Sequence, residues 1–580
     1  MRGLRGTSLM RLRIGFVLIA MVVSVFGARL FQLQGIDAKA YAARAEAAGL
    51  VNVTLPATRG SILDRTGEPL AESVDGLMLV ADPTMTKDDA GPIAKMIAQR
   101  LDVDYFEILE RLRMPDSRFQ YIARRVPASE ARDVVNDLNN RGYAGVFTDR
   151  DPVRTYPAKD VAANLLGFLG TDGEPLAGLE LKFHDVLSGK DGSATYEVGG
   201  GQKLPLGDNS VVAPKDGSDL RLTIDRDVQW YTQRVLRQAV QGAGGESGAA
   251  VVMDSRTGEV LALADHPTFD ANEPTLSSDS ALGARSLSDV YEPGSVQKVL
   301  TAASLIDAGK VTPDTKITVP AQLRRQDRTI GDYWDHGRLR LTLTGVIAKS
   351  SNIGTVLAAD EFDPRELHRY LSGFGLGEKT GVGLAGESRG LLPPWQGWSQ
   401  INQDTISFGQ GVSVNALQMA AAVNTVANGG VRVEPSIVKG AVVTGAGETI
   451  GSDTTTSERV VSERAAKQTA RMMESVTDAE EGTAPAALIE GYRVAGKTGT
   501  AQRVGEECGC YDGTFTVSFA GFAPADAPRF TVYVVVQDPT NGGGGGTIGG
   551  PAFHQIMSYV LRKYAVPPTG ATAPDDPLEW

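Results

Sequence analysis

Ser295-Val296-Gln297-Lys298 sets a hydroxyl and an amine three residues apart, directly after Tyr291-Glu292-Pro293-Gly294. The Pro-Gly pair and the apolar-periodic run behind it (Val299, Leu300, Ala303, Leu305, Ile306) put both groups in the first turn of a helix predicted over 295–308. Residues three apart share a helix face, so the amine can reach the hydroxyl. That is a serine nucleophile carrying its own base, with no histidine required. The helix N-terminus also favours the developing alkoxide.

Two polar triplets follow in order, Ser350-Ser351-Asn352 and Lys497-Thr498-Gly499, the latter extended by Thr500. Each pattern recurs: Ser436-Ile437-Val438-Lys439, Ser413-Val414-Asn415 and Lys379-Thr380-Gly381 are second matches. Context separates them. Ser436 follows Pro435 in a β-branched run, where residues three apart point to opposite faces of a strand. Lys379-Thr380-Gly381 lies between Gly377 and Gly383 in a loop-like stretch. Lys497 instead sits on a strand with two more strands to pair with, and such a strand can hold a peptide backbone by strand addition. Ser413 follows a helix-start signal as well, so it is the nearest rival to Ser350.

Roles follow from the chemistry. Ser295 attacks an acyl carbonyl and becomes an acyl-enzyme. Lys298 must be neutral to take its proton. An amine of ordinary pKa ~10.4 made half-neutral at pH 7 has been perturbed by roughly 4 to 5 kcal/mol. Burial and a neighbouring cation can do that; Lys497 is the candidate cation and could also pair with a substrate carboxylate. Ser350 can pass a proton to a leaving amine, and Asn352 can hold Lys298 and a substrate amide. The N–H groups of Ser295 and Thr500 are the expected oxyanion donors, each worth about 3 to 4 kcal/mol. No cofactor and no metal is called for. The five histidines are scattered, and the two cysteines, Cys508 and Cys510, supply too few zinc ligands. A bridge across Gly509 alone would be strained.

These residues need elements to position them. The chain predicts a strand at 220–224, an Asp225-capped helix at 227–241, and a hairpin of 249–253 with 259–263 around a Gly258 turn. Helices follow at 295–308, 342–359 and 414–428, then strands at 492–502, 514–523 and 529–536. Strands, then helices, then strands again is not a βαβ alternation. It predicts an α+β fold with one antiparallel sheet covered by helices. Upstream, 34–50 reads as a helix, 58–71 as strand, turn, strand, 88–140 as helical and 189–217 as extended hairpins. Nothing in 34–220 offers a catalytic constellation. The Gly542–Gly546 run reads as mobile and the Pro-, Ala- and Asp-rich 566–580 as disordered.

Of the 580 residues, 42% are hydrophobic and 22% charged, which fits a multidomain globular chain. A net charge of −13 argues against a nucleic-acid partner and against gathering an acidic substrate by bulk attraction. Ile14 to Ala28 is free of charge, and Leu30, Phe31 and Leu33 continue it past Arg29. The run spans a bilayer if Arg29 snorkels. Arg2, Arg5, Arg11 and Arg13 precede it and keep that end cytoplasmic. A retained anchor is preferred to a cleaved signal, because no small-residue cleavage site interrupts the continuation.

The three triplets are the set shared by β-lactamases and penicillin-binding proteins. The whole chain resembles class B penicillin-binding proteins of the FtsI type. The resemblance takes in the R-G-x-I-x-D-R-x-G-x-x-L-A segment at 59–71, R-x-Y-P at 154–157 and G-x-E at 178–180. It continues through Pro267-Thr268-Phe269-Asp270, Y-E-P-G-S-x-x-K, K-S-S-N and K-T-G-T-A-Q. It implies a cytoplasmic tip at 1–10, an anchor at 11–33, a non-catalytic pedestal (dimerisation-like domain) at 34–220, a penicilloyl-serine transferase domain at 221–565 and a tail at 566–580. It further implies peptidoglycan D,D-transpeptidase activity outside the membrane on D-Ala-D-Ala stem peptides, with β-lactams as covalent inhibitors. Implied partners are an FtsW-type glycosyltransferase and other divisome membrane proteins. Val296 and Gln297 stand where the family usually has a small and then an aromatic residue, which alters the pocket wall but neither nucleophile nor base. Competing readings are an elongation-type relative, a β-lactam receptor without turnover, and an inactive scaffold. The intact Ser295, Lys298 and Lys497 oppose the last, and about ten residues before the anchor leave no room for the signalling module the receptor needs.

Overall fold

The computed structural model describes residues 8–32, 50–115, 117–170, 172–199, 202–203, 210–505 and 509–580. The helix predicted at 34–50 lies outside these, apart from Leu50. The chain divides into two units: Met1–Thr58 with Gly189–Asp216, and Arg59–Ser188 with Gly217–Trp580. The first unit holds the N-terminal helix Ser8–Phe31, of which Met10–Phe31 is long and apolar enough to cross a membrane. It also holds the strand Leu50–Leu55, paired antiparallel with Gly192–Gly199, which in turn pairs with Ser210–Val212. The extended reading of 189–217 is met in those strands.

In the second unit, the reading of 88–140 as helical is correct for Ala90–Leu101, Tyr105–Leu112 and Ala128–Asn140. It is wrong between them. Gln120–Pro127 is a strand, paired with Gly76–Ala81 as the edge of a three-stranded sheet. Ile122, Ala123 and Val126 are buried while Tyr121, Arg124 and Pro127 are exposed, and the pairing with Gly76–Ala81 is irregular, so the strand carries no clean two-residue period. These elements enclose a small core of their own around Leu79, Ile93, Ile97 and Val134.

Element labels below refer to residues 226–563. Asp225 caps α1 (Arg226–Ala243), its carboxylate accepting from the N–H groups of Asp227 and Val228. β1 (Ser247–Asp254) and β2 (Val260–His266) form the expected hairpin. α2 is Gln297–Asp307, α3 Leu343–Ala348, α4 Asn352–Ala359, α5 Ala416–Ala427 and α6 Glu463–Glu474. β3 (Ala495–Val504), β4 (Tyr511–Ala523), β5 (Phe530–Gln537) and α7 (Gly550–Lys563) close the fold. The sheet order is β2-β1-β5-β4-β3, antiparallel throughout. Every residue of β1 and β5 is buried, so both faces are covered. α1 and α7 pack on each other and on the sheet; α5 also packs on it, and α6 packs against both α5 and β3, with α2 against α5 and α6. All of α5 is buried, as its all-round apolar sequence requires. β3, the strand carrying Lys497, is an edge.

Two further expectations need correction. The tail at 566–580 is ordered: Leu578 O accepts from Thr342 N (2.9 Å), Trp580 N donates to Arg340 O (3.1 Å), and Asp576 pairs with Arg471 (2.6 Å). Its composition reads as disordered only because the partners that fix it lie far away in sequence. The Gly542–Gly546 run is packed in part, with Gly545 buried against the sheet: a Cβ there would lie 2.2 Å from Ser518 O and 2.6 Å from Gly499 O. Glycine at this position permits close approach rather than motion.

Candidate active site

Gly294 takes a left-handed φ of +52°. This lets the chain turn beneath Gly409, whose own Cβ would lie 2.1 Å from Gly294 O. Gly294–Val296 form a tight 3₁₀ turn that runs into α2 at Gln297. Ser295 and Lys298 therefore lie one turn apart on a single face, as their spacing implies. Ser295 is half-buried, and Lys298 is fully buried.

The predicted helix 342–359 is broken, and the break makes the site. α3 ends at Ala348, α4 starts at Asn352, and Ser350 between them has φ +58°. A left-handed serine is strained, a feature that concentrates at functional positions. Here it turns both Ser350 oxygens onto the amines. Lys298 Nζ donates to Ser350 O (2.6 Å) and to Asn352 Oδ1 (2.7 Å), with Ser350 Oγ at 3.4 Å. Lys497 Nζ donates to Ser350 Oγ (2.9 Å) and lies 3.2 Å from both oxygens of Thr498. One serine thus bridges two buried lysines. Ser295 Oγ makes no hydrogen bond among the described residues, and Lys298 Nζ is held by the second triplet rather than by the first.

Burial brings Lys298 down from 10.5 to about 7, against the opposing charge of Asp332. Burial also takes Lys497 well below the usual lysine value, and the charge of Lys298 pushes it further. Of the two causes expected, burial and a cationic Lys497, desolvation is the one that lowers Lys298. Two ammonium groups do not coexist in so dry a pocket, so one neutral amine is available near pH 7.

The third triplet is positioned by its glycine. A Cβ on Gly499 would lie 2.2 Å from Ser518 Oγ, 3.0 Å from Val296 and 3.1 Å from Pro293 O. Only glycine lets β3 lie this close to the nucleophile turn. Thr498 is buried, whereas Thr500 is exposed on the open side of the edge strand; a Cβ on Gly294 would lie 3.0 Å from Thr500 O. The structure therefore brings all eight sequence-identified residues into one cluster.

The second matches go elsewhere. Asn415 caps α5, sharing a capping box with Gln418. Ser436 is buried and donates to Val438 O. Thr380 donates to Glu387.

Two carboxylates outside the three triplets also hold the site together. Glu292 accepts from Gly411 N (2.7 Å) and from Tyr511 Oη (3.0 Å), which ties the nucleophile loop to β4, and burial raises it. Asp332 is hidden behind the second triplet, 18 positions before Ser350, and no local pattern announces it. In the connection between β3 and β4, Cys510 is disulfide-bonded. Cys508 lies outside the described residues.

Comparisons with known proteins agree with this fold. The penicillin-binding protein transpeptidase domain covers residues 248–558, and the penicillin-binding protein dimerisation domain covers 54–222. The chain belongs to the class B penicillin-binding proteins. Penicillin-binding protein PbpB of Mycolicibacterium smegmatis is 38% identical over 97% of this chain and 92% of its own length. The peptidoglycan D,D-transpeptidase FtsI of Escherichia coli K12 is 34% identical over 89% of this chain and 86% of its own. The crystal structure of penicillin-binding protein 3 from Mycobacterium tuberculosis complexed with ampicillin superposes with a TM-score of 0.71. It shares 32% identity and covers 91% of this chain and all of that one. The class B architecture is thus present: a dimerisation-domain match followed along the chain by a transpeptidase-domain match.

Proposed function

We propose that the chain cross-links peptidoglycan as a serine D,D-transpeptidase, acting outside the cell membrane to which residues 11–33 anchor it. The observation that supports this most is the pair of buried lysines bridged by Ser350 beside the Ser295 turn. A stem peptide ending in D-Ala-D-Ala adds to the open edge of β3. Ser295 Oγ attacks the penultimate carbonyl carbon and gives its proton to neutral Lys298. The N–H groups of Ser295 and Thr500 receive the oxyanion. The C–N bond to the terminal D-Ala breaks, and its nitrogen takes a proton that Lys298 returns through Ser350. Asn352 fixes Lys298 and contacts the substrate amide. Lys497, with Thr498 and Gly499, shapes the far wall, where the carboxylate of the donor docks. A neighbouring stem's amine then attacks the Ser295 ester and releases the enzyme with a new amide bond.

Residues 34–220 form the pedestal and 221–565 the catalytic domain in this reading. The names of the relatives favour a septal role, alongside an FtsW-type glycosyltransferase and other division proteins. The same chemistry makes β-lactams covalent inhibitors.

The test is labelling of the detergent-solubilised full chain with a fluorescent penicillin. Ser295→Ala should abolish the label. Label persisting on another serine overturns the assignment. A tagged copy should gather at the septum; an even distribution along the side wall would favour the elongation-type alternative.

A further inference from the structure

Asp332 belongs to Gly331-Asp332-Tyr333-Trp334-Asp335-His336, a segment that none of the three triplets includes. Its side chain is fully buried and accepts four hydrogen bonds. Ser351 Oγ (2.7 Å) and His336 Nε2 (2.9 Å) reach Oδ2, while the N–H groups of Asn352 (2.5 Å) and Ile353 (3.1 Å) reach Oδ1. The backbone beside it completes the grip: Asn352 Nδ2 donates to Gly331 O (3.0 Å). That bond fixes which way the Asn352 amide points, leaving Oδ1 for Lys298. A carboxylate at the start of α4 also suits the helix dipole.

We propose that Asp332 is the positioning residue for the second triplet. It clamps Ser351 and Asn352 so that the strained turn at Ser350 persists, and it supplies a buried negative charge beside Lys298. The proposal rests on the transpeptidase reading above. A carboxylate serving only to cap α4 would be replaceable by any good capping side chain. A carboxylate that also acts on the base would not, because its charge opposes deprotonation of Lys298. The charged groups facing Lys298 are Asp332 and Lys497, with His336 behind Asp332.

The sign follows. Removing the negative charge makes the ammonium form of Lys298 less favourable, so the amine is neutral at lower pH. Asp332→Asn keeps the size and one acceptor but loses the charge. Asp332→Glu keeps the charge but displaces it by one methylene. The experiment is the second-order rate of labelling of the full chain in detergent by a fluorescent penicillin, from pH 5.5 to 9, for wild type and both variants. Asp332→Asn should lower the plateau rate by about tenfold to a hundredfold and move the pH of half-maximal rate down by about half to one unit. Asp332→Glu should lower the plateau by a comparable factor while leaving that midpoint in place. A structural cap alone would leave both midpoints unmoved, and that result overturns the proposal, as does a wild-type plateau in both variants. If Asp332→Asn fails to fold, the Asp332→Glu plateau still decides: a fall of tenfold or more supports the clamp, and a wild-type rate refutes it. Failure of the transpeptidase reading looks different, since wild type would then carry no label on Ser295.

Discussion

At the scale of the residue, the central fact is an amine moved from 10.5 to about 7 by its surroundings. With Lys298 as the proposed base, acylation needs that amine neutral, so the rate should rise with pH through about 7 and fall about tenfold per unit below it. Rates of penicillin acylation across pH 5.5 to 9 check this, and a flat profile would remove Lys298 as the base. The same displacement affects stability. Between about 7 and 10.5 the unfolded chain holds a proton on this lysine that the folded chain does not. Stability from this group therefore rises with pH across that window and is lost as pH falls toward 7. Gln297, one residue before the base, is fully buried, and neither its Oε1 nor its Nε2 finds a partner among the described residues. An orphaned buried polar group costs about 1 to 3 kcal/mol. Gln297→Met, close in shape but without the amide, should stabilise the protein by about that amount while leaving penicillin labelling intact. A denaturant titration measures it, and a lowered midpoint would mean the amide is satisfied in solution.

At the scale of the element, α3 links the tail to the site. Its first turn is held by residues 577–578: Thr342, its N-cap, donates to Leu578 O and, through Oγ1, to Pro577 O (2.7 Å). A Cβ on Gly345 would lie 2.0 Å from Leu578 O. Trp580 completes the strap, with Lys316 and Arg340 over its ring at 5.0 and 5.4 Å. Lys349 and Ser350 leave from the other end of α3. Deleting residues 575–580 removes these backbone bonds, worth about 1 kcal/mol each. The amides of α3 should then exchange on the order of tenfold to a hundredfold faster, read by hydrogen exchange. Unchanged exchange would show that the strap is passive. The sequence could not announce it. Pro574, Asp575, Asp576 and Pro577 lack any apolar period, and the partners that hold Asp576 and Pro577 lie more than 100 residues away. The break at Ser350 was hidden for a related reason: Lys349-Ser350-Ser351 contains no glycine or proline, and tertiary contacts hold the left-handed turn. Elements whose cause is local were legible, as with the Asp225 cap and the hairpin around Gly258. The placement of Ser295, Lys298 and Lys497 was legible too, because helix and strand periodicity separated them from their second matches. Asp332 was not, since its claim on the site exists only after folding.

At the scale of the whole molecule, the catalytic sheet is not independent of the segment before it. One apolar cluster runs from Ile62, Leu70, Tyr156, Leu179 and Phe183 into the sheet and helices of 220–561. Between these parts, Arg65 pairs with Glu259 (3.0 Å), and Asp160 holds both Arg234 (2.6 Å) and Arg237 (2.9 Å). At the root lies Glu180, wholly buried, gripped by Arg59 and Arg154 at 2.7 Å each and touched by Tyr156 Oη at 3.3 Å. These are the R-G, R-x-Y-P and G-x-E stretches noted in the sequence, and their physical content is a single buried carboxylate with two guanidinium groups. Removing one partner of such a set leaves uncompensated buried charge and costs about 3 to 5 kcal/mol. Glu180→Ala should therefore destabilise the unit by that amount although no residue of the catalytic cluster has changed. Because the core is continuous, the loss should appear in the catalytic domain as well. Penicillin labelling and the far-ultraviolet circular dichroism signal of the variant should fall together on heating, at a temperature below wild type. If labelling survives to the wild-type temperature while only part of the signal is lost early, root and sheet unfold separately, and the shared core does not couple them.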